Sequence, residues 1–165
     1  MFGLQQKIVA IFVVAIAWAC IASAHAFTST EGKFIIDFPA DPQFTKSDMK
    51  NKAGNPYVLN SWQVDKDGGW WAVASSSYST PITETFDEPV KGFVSGVKGK
   101  LISQSNIQQR GIKGREAVVT TPQFVFRLRA FFIDKKYWQI VYGGPLGTES
   151  EAKVIAFLDS FWPLR

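Results

Sequence analysis

The sequence predicts an α+β fold: an antiparallel β-sheet of about six to eight strands packed by two main helices, in the order ββββ-α-ββββ-α. Two observations carry this. From Lys33 onward most of the chain consists of short apolar-rich runs separated by turn residues, the signature of strands. Two segments, Phe86–Lys100 and Ser150–Phe161, change rhythm, their apolar residues recurring every three or four positions as in a helix. Strands that follow one another across short turns pair antiparallel, and each helix must bury its apolar face on the sheet they make.

The elements follow in order. Lys33-Phe34-Ile35-Ile36-Asp37-Phe38 is a strand stopped by Pro39, which has no amide to give a ladder. Gln43 to Lys50 is a second, weaker strand, followed by the turn cluster Asn51-Lys52-Ala53-Gly54-Asn55-Pro56. Tyr57 to Asp65 and Trp70 to Tyr78 are strands joined by Lys66-Asp67-Gly68-Gly69, where Asp-Gly suits the positive φ angles of a tight hairpin. In the first helix Phe86, Val90, Phe93, Val94, Val97 and Leu101 mark the apolar side, and Pro89 fits only its first turn. Leu101 to Arg110, Arg115 to Thr121, Gln123 to Ile133 and Tyr137 to Tyr142 are four more strands, with Asp134-Lys135-Lys136 turning the last pair. The closing helix has a ridge of Ile155, Leu158, Phe161 and Trp162, and Thr148 with Glu151 fits a capping box at its start.

Residues 1–26 read as a secretory signal peptide and 27–165 as a single domain. Lys7 precedes the apolar run Ile8 to Ala22, and Ser23-Ala24-His25-Ala26 offers the small side chains of a cleavage site. That run is shorter than the ~20 apolar residues a spanning helix needs, so no stable membrane anchor is expected after cleavage. Cys20 does not suit lipid attachment, since Ala17 stands where a leucine-like residue is needed and Trp18 where a small one is. The expected location is the periplasm or the extracellular space. Cleavage after Ala26 removes His25 and Cys20, the only histidine and the only cysteine. A domain without either has no Ser-His-Asp or Cys-His nucleophile, Cys/His zinc site or disulfide.

The chain carries a formal net charge of +4, and the leader contributes Lys7 but no acid. Lysines are interleaved with acids along the chain, without the stripe that marks a nucleic-acid surface. No catalytic, cofactor-binding or metal-ligating residue emerges. Asp65 and Asp67 lack the further ligands of a calcium loop and read as hairpin residues. Gly143-Gly144-Pro145-Leu146-Gly147-Thr148 is neither a Walker nor a dinucleotide loop, so a simple turn is preferred to an anion site. Glu84, Asp87 and Glu88 suit the positive end of the first helix better than a paired-carboxylate site. Gly92, Gly96 and Gly99 form a small-residue strip on that helix, open to a partner or merely tolerated. Arg115, Arg127 and Arg129 are the candidate anion or partner contact. Arg127 and Arg129 alternate on a strand and share a face, and Arg115 on a neighbouring strand would complete a guanidinium patch. The competing reading pairs them with Glu116, Asp134 or Asp159 as structural ion pairs, and is preferred.

Several short motifs resemble those of small exported domains with the PsbP/DcrB-like (Mog/PsbP) fold. They are Thr30-Glu31-Gly32-Lys33-Phe34 with Phe38-Pro39, Gly111-Ile112-Lys113-Gly114-Arg115-Glu116, and Phe157-Leu158-Asp159-Ser160-Phe161. Arg127-Leu128-Arg129 leading to Tyr137-Trp138-Gln139-Ile140 resembles the Arg-containing strand and the aromatic strand that follows it there. The resemblance implies an antiparallel sheet flanked by helices, used mostly as a non-catalytic binding or accessory domain, and transfers no catalytic residue. The expectation is an exported soluble domain that binds a partner protein or a component of the bacterial cell envelope, with oligomeric state left open. Two alternatives stand beside it. One is a carrier of a small apolar ligand between sheet and helix, lined by Trp70, Trp71, Phe93 or Trp138. The other is a carboxylate-based or metal-assisted hydrolase.

Overall fold

The computed structural model describes residues 25–51, 54–78 and 86–164. Its elements are β1 (His25–Ser29), β2 (Phe34–Phe38), β3 (Gln43–Lys50), β4 (Pro56–Lys66), β5 (Gly69–Tyr78), α1 (Asp87–Gly96), β6 (Lys100–Gln109), β7 (Ile112–Thr120), β8 (Phe124–Ile133), β9 (Lys136–Pro145), α2 (Ala152–Ser160) and β10 (Trp162–Pro163). The α+β class and the two helices match the sequence reading. The strands form two sheets rather than one: seven in the order β3-β4-β5-β9-β8-β7-β6, and three in the order β1-β2-β10. Every pairing is antiparallel. Lys7, the apolar run and Cys20 lie outside the described residues, as do Lys52, Ala53 and Glu84.

Alternation of side chains along the strands gives the large sheet two apolar faces. On one, Trp62, Val64, Trp71, Val73, Phe131, Trp138, Ile140 and Tyr142 meet Phe34, Ile36 and Phe38 of β2 and Val154, Phe157, Leu158 and Phe161 of and beside α2. The rings lock edge to face: Phe34 lies 4.8 Å from Trp62, and Trp71 lies 5.2 Å from Phe157. On the other face Ala117, Val119, Leu128 and Val141 receive Val90 of α1, with Phe93, Val94 and Val97 around it. The result is three layers: small sheet with α2, large sheet, α1. Each large side chain so buried contributes roughly 1.5–3 kcal/mol relative to exposure.

The hairpin turns follow their local chemistry. Asp67 and Gly68 both take positive φ, 52° and 72°, as the two-residue turn between β4 and β5 requires. Arg110-Gly111 and Asp134-Lys135 repeat that geometry. The first of these starts β7 at Ile112, three residues before the expected Arg115.

Other boundaries differ from expectation for identifiable reasons. β1 starts at His25, inside the expected leader, because Phe27 packs 6.1 Å from Phe34 and 5.8 Å from Phe38. α1 stops at Gly96 rather than near Lys100. There Lys98 turns left-handed at φ 52°, and the Lys98 and Gly99 amides donate to the Ser95 and Val94 carbonyls, closing a Schellman motif. Leu101 therefore belongs to β6. Gly99 leaves the helix and packs against Val119, while Gly92 and Gly96 face open space, so the three glycines form no strip.

The capping box at α2 does not form. The cap residue is Glu151, one turn later, and it has no side-chain cap bond. Thr148 instead donates to the Pro145 carbonyl at 2.7 Å and meets the Tyr142 hydroxyl at 2.8 Å. Trp162 leaves the helical ridge because the backbone turns extended at Phe161. It is 43% exposed on β10, with the Arg110 guanidinium 4.5 Å from its ring centre.

Candidate functional site

The three candidate arginines do not converge. Arg127 and Arg129 share a face of β8, as their spacing predicts, and that face looks toward α2. Register places Arg129 opposite Glu116 of β7, with Arg127 one position along the same face, opposite Val118. Glu116 spans both guanidiniums: Arg127 Nη2 donates to its Oε1 at 2.6 Å and Arg129 Nε to its Oε2 at 2.8 Å. Arg115 precedes Glu116 and so points through the sheet to the opposite face. Its Nη2 lies 3.1 Å from Asp87 Oδ1 in the first turn of α1. A common guanidinium patch is ruled out by the pleat itself, because adjacent residues of a strand face opposite ways.

Around Arg129 the network closes on α2. Arg129 Nη1 donates to Asp159 Oδ1 at 2.6 Å and to Gln109 Oε1 at 2.8 Å. The Gln109 Nε2 in turn lies 3.0–3.2 Å from the carbonyls of Leu158, Asp159 and Phe161, which the helix end would otherwise leave unpaired. Arg127 Nη1 adds a bond to the Glu149 carbonyl at 3.2 Å. Glu116 and Asp159 are thus the acidic partners expected, while Asp134 sits in the β8–β9 turn. Gln109 is the member that sequence reasoning missed, since neutral glutamine on a polar strand carries no local signal of a partner some fifty residues away.

Burial alone would raise the Glu116 carboxyl. Hydrogen bonds and charge from Arg127 and Arg129 outweigh it and hold the group below the ordinary glutamate value of 4.5. Glu116 is therefore an ionised anchor at neutral pH, suited to holding two cations rather than to delivering a proton.

Two surface clefts lie on the α1 side of the large sheet. One, of about 570 Å³, runs between α1 and β6 and is lined by Val90, Val94 and Leu101 with Lys91, Lys98 and Gln104. The other, of about 580 Å³, lies at the β4–β5 turn, where Trp70, Phe124 and Phe126 flank Gly143 and Gly144 beside Asp65 and Asp67. The aromatic residues considered for an apolar carrier divide between the two faces. Trp71 and Trp138 fill the core beneath α2, whereas Trp70 and Phe93 lie with the α1 layer. They do not line a common cavity.

Asp65 and Asp67 occupy the end of β4 and its hairpin turn. Gly143 and Gly144 remain in β9, and the turn that follows is made at Gly147, with φ 87°. Asp87 and Glu88 stand in the first turn of α1, with Glu88 paired to Lys91 at 3.1 Å. Among the described residues no three histidine, cysteine, aspartate or glutamate side chains gather where a metal could sit. No protein-family model matches this chain, and comparison with curated proteins finds no match.

Proposed function

We propose that this chain is an exported, soluble, non-catalytic binding domain, an accessory factor of the bacterial cell envelope built as a PsbP/DcrB-like sandwich. The observation that carries the reading is the contrast between two charged regions. Arg127, Arg129, Glu116 and Asp159 are consumed in holding α2 to the sheet. Around the α1–β6 cleft, by contrast, Lys98, Lys100, Leu101 and Ile102 are exposed on an open surface. Open, mixed apolar and cationic surface suits contact with another macromolecule better than enclosure of a small substrate.

The motifs behind the family resemblance support the same reading. Lys33–Pro39 runs into β2 and Phe157–Phe161 closes α2, and the two pack together with Phe38 5.4 Å from Phe157. Export is supported by the leader pattern; cleavage after Ala26 would leave Phe27, Thr28 and Ser29 paired with Ile36, Ile35 and Phe34. Among the described residues no helix is long and apolar enough to cross a membrane.

The test is site-specific photo-crosslinking in cells, with the crosslinker at Ile102 on β6 and, as control, at Asp41 after β2. The expected result is a discrete adduct from Ile102 alone, on protein whose mass starts at Phe27. Retention of residues 1–26 in cytosolic protein, or no adduct from Ile102, would overturn the proposal.

A further inference from the structure

The large sheet has two edges, and the chain treats them differently. β3, at one end, carries Lys46, Asp48 and Lys50 on a single face, charges that discourage pairing with another strand. β6, at the other end, pairs only with β7 among the described residues. After a register shift that sets Ile102 out of the ladder, its run Ser103-Gln104-Ser105-Asn106-Ile107-Gln108-Gln109 holds no charge, proline or glycine. Ile102 itself is 55% exposed. The irregularity and Lys100 lie at the start of β6, so the outer row of backbone amides and carbonyls from Ser103 to Gln109 is left without charge or proline to block strand addition. The edge is also held in shape: Ile107 packs on the main core, and Gln109 is tied to the end of α2.

Charge around this edge is one-sided. Between Glu88 and Glu116 the sequence has no acid and six cations: Lys91, Lys98, Lys100, Arg110, Lys113 and Arg115. Lys91 and Arg115 are paired with Glu88 and Asp87. Lys98, Lys100 and Lys113 have no acidic partner among the described residues, and Arg110 lies over the Trp162 ring. Cations thus stand at both ends of an uncharged strand.

Building on the binding-domain reading, we infer that β6 receives an extended acidic peptide segment of a partner protein as an eighth antiparallel strand. Main-chain bonds along Ser103–Gln109 supply the attachment. Alternate side chains of the incoming strand lie over the α1–β6 cleft, beside Lys98, and Lys100 and Arg110 face carboxylates at its ends. The same charges disfavour a second copy of this chain. Two β6 strands paired antiparallel about Ser105 would set Lys100 of each against Arg110 of the other, a destabilising juxtaposition.

The test titrates the exported protein with a nine-residue peptide alternating glutamate with valine and threonine, and with the same peptide carrying lysine for glutamate. Amide exchange and fluorescence anisotropy give the site and the affinity. The expected result is new protection confined to Ser103–Gln109 and at least tenfold tighter binding of the acidic peptide, weakening as salt is raised. Lys100→Glu with Lys113→Glu should lower affinity at least tenfold at an unchanged melting temperature, and Lys46→Glu on β3 should not. Should the double variant melt early, Lys100→Glu alone reads the same change.

Equal binding of the two peptides, protection elsewhere, or full affinity in the Lys100 variants would overturn the inference. So would β6 amides protected without peptide in a sedimenting dimer, or tighter binding of single-stranded DNA without β6 protection. Peptide failure with the Ile102 adducts retained overturns strand addition alone. Failure of both overturns the binding-domain reading as well.

Discussion

Replacing Arg129 with methionine is the sharpest test of how α2 is held. The arginine is 9% exposed and makes three bonds, to Glu116, Gln109 and Asp159. Removing one member of a buried ion pair costs ~3–5 kcal/mol when the remaining charge is left uncompensated. Here Glu116 keeps Arg127 at 2.6 Å, and Asp159, more than half exposed, rehydrates. What is lost outright is one charge-assisted bond to Glu116, about 1.5–3 kcal/mol, and the donor to Gln109, about 1 kcal/mol. Methionine occupies much of the arginine stem's volume, so no large cavity opens. The expected cost is therefore roughly 2–4 kcal/mol, which corresponds to a fall of about 6–12 °C in melting temperature for a domain of this size. Circular-dichroism melts and urea titrations measure it, with the midpoint moving and the slope unchanged. Arg127→Met loses its bonds to Glu116 and the Glu149 carbonyl and should cost somewhat less. The double variant should cost more than the sum, because Glu116 is then a half-buried carboxylate with no cation. Glu116→Gln in that background should recover part of the loss. Melting temperatures within about 2 °C of wild type for the two single variants would refute the anchoring argument.

Four further outcomes follow from the packing and the charges. Leu158→Ala, at a fully buried position on α2, should destabilise the fold by about 2–5 kcal/mol in urea titrations, and an unchanged midpoint would show that α2 does not dock. Gly114→Ala should cost about 1–3 kcal/mol, because its Cβ would stand 2.6 Å from the Ala130 carbonyl oxygen and as close to the Phe131 ring. Gly92→Ala, which meets open space inside α1, should instead gain about 0.5–1 kcal/mol by thermal melting. Since the folded Glu116 carboxyl lies below 4.5, its contribution is fully present above that pH and is lost as pH falls through the lower folded value. The stability gap between wild type and Glu116→Gln should accordingly shrink between pH 5 and pH 2, and a constant gap would count against the assignment.

What the sequence revealed and what it hid divide along a physical line. Features set by neighbours in the chain were legible: the Asp67-Gly68 hairpin, the shared face of Arg127 and Arg129, and the apolar side of α1 around Val90. Features set by distant partners were not. Thr148 is the local exception: it stands three positions before Glu151 as a cap would, yet Pro145 and Tyr142, three and six positions back, claim its hydroxyl. Trp162 continues a helical ridge on paper, but Phe161 ends the helix and the Arg110 guanidinium takes the exposed ring. Gln109 gave no sign at all. The separation of Arg115 from the other two arginines also depends on a distant partner, since only the β7–β8 register sets Glu116 opposite Arg129 and so turns Arg115, its neighbour in the pleat, to the other face.

That adjacency explains how two helices on opposite faces are tied to the same strand. Arg115 reaches α1 through Asp87, and Glu116 reaches α2 through Arg129 and Asp159, so consecutive residues of β7 anchor both outer layers. A strand pinned from both sides cannot readily slip or twist away from its neighbour. β6 is laid against that strand, and its far end is held by Gln109 beneath α2. The cost of ordering an edge before it accepts a partner is thereby met within the fold, which leaves more of each new main-chain bond to appear as affinity. The same rigidity predicts a specific coupling. Arg129→Met frees Gln109 from its guanidinium partner, so it should weaken the acidic peptide by a few fold without touching the binding edge, whereas Met49→Ala, exposed on β3 at the opposite edge of the sheet, should leave peptide affinity unchanged.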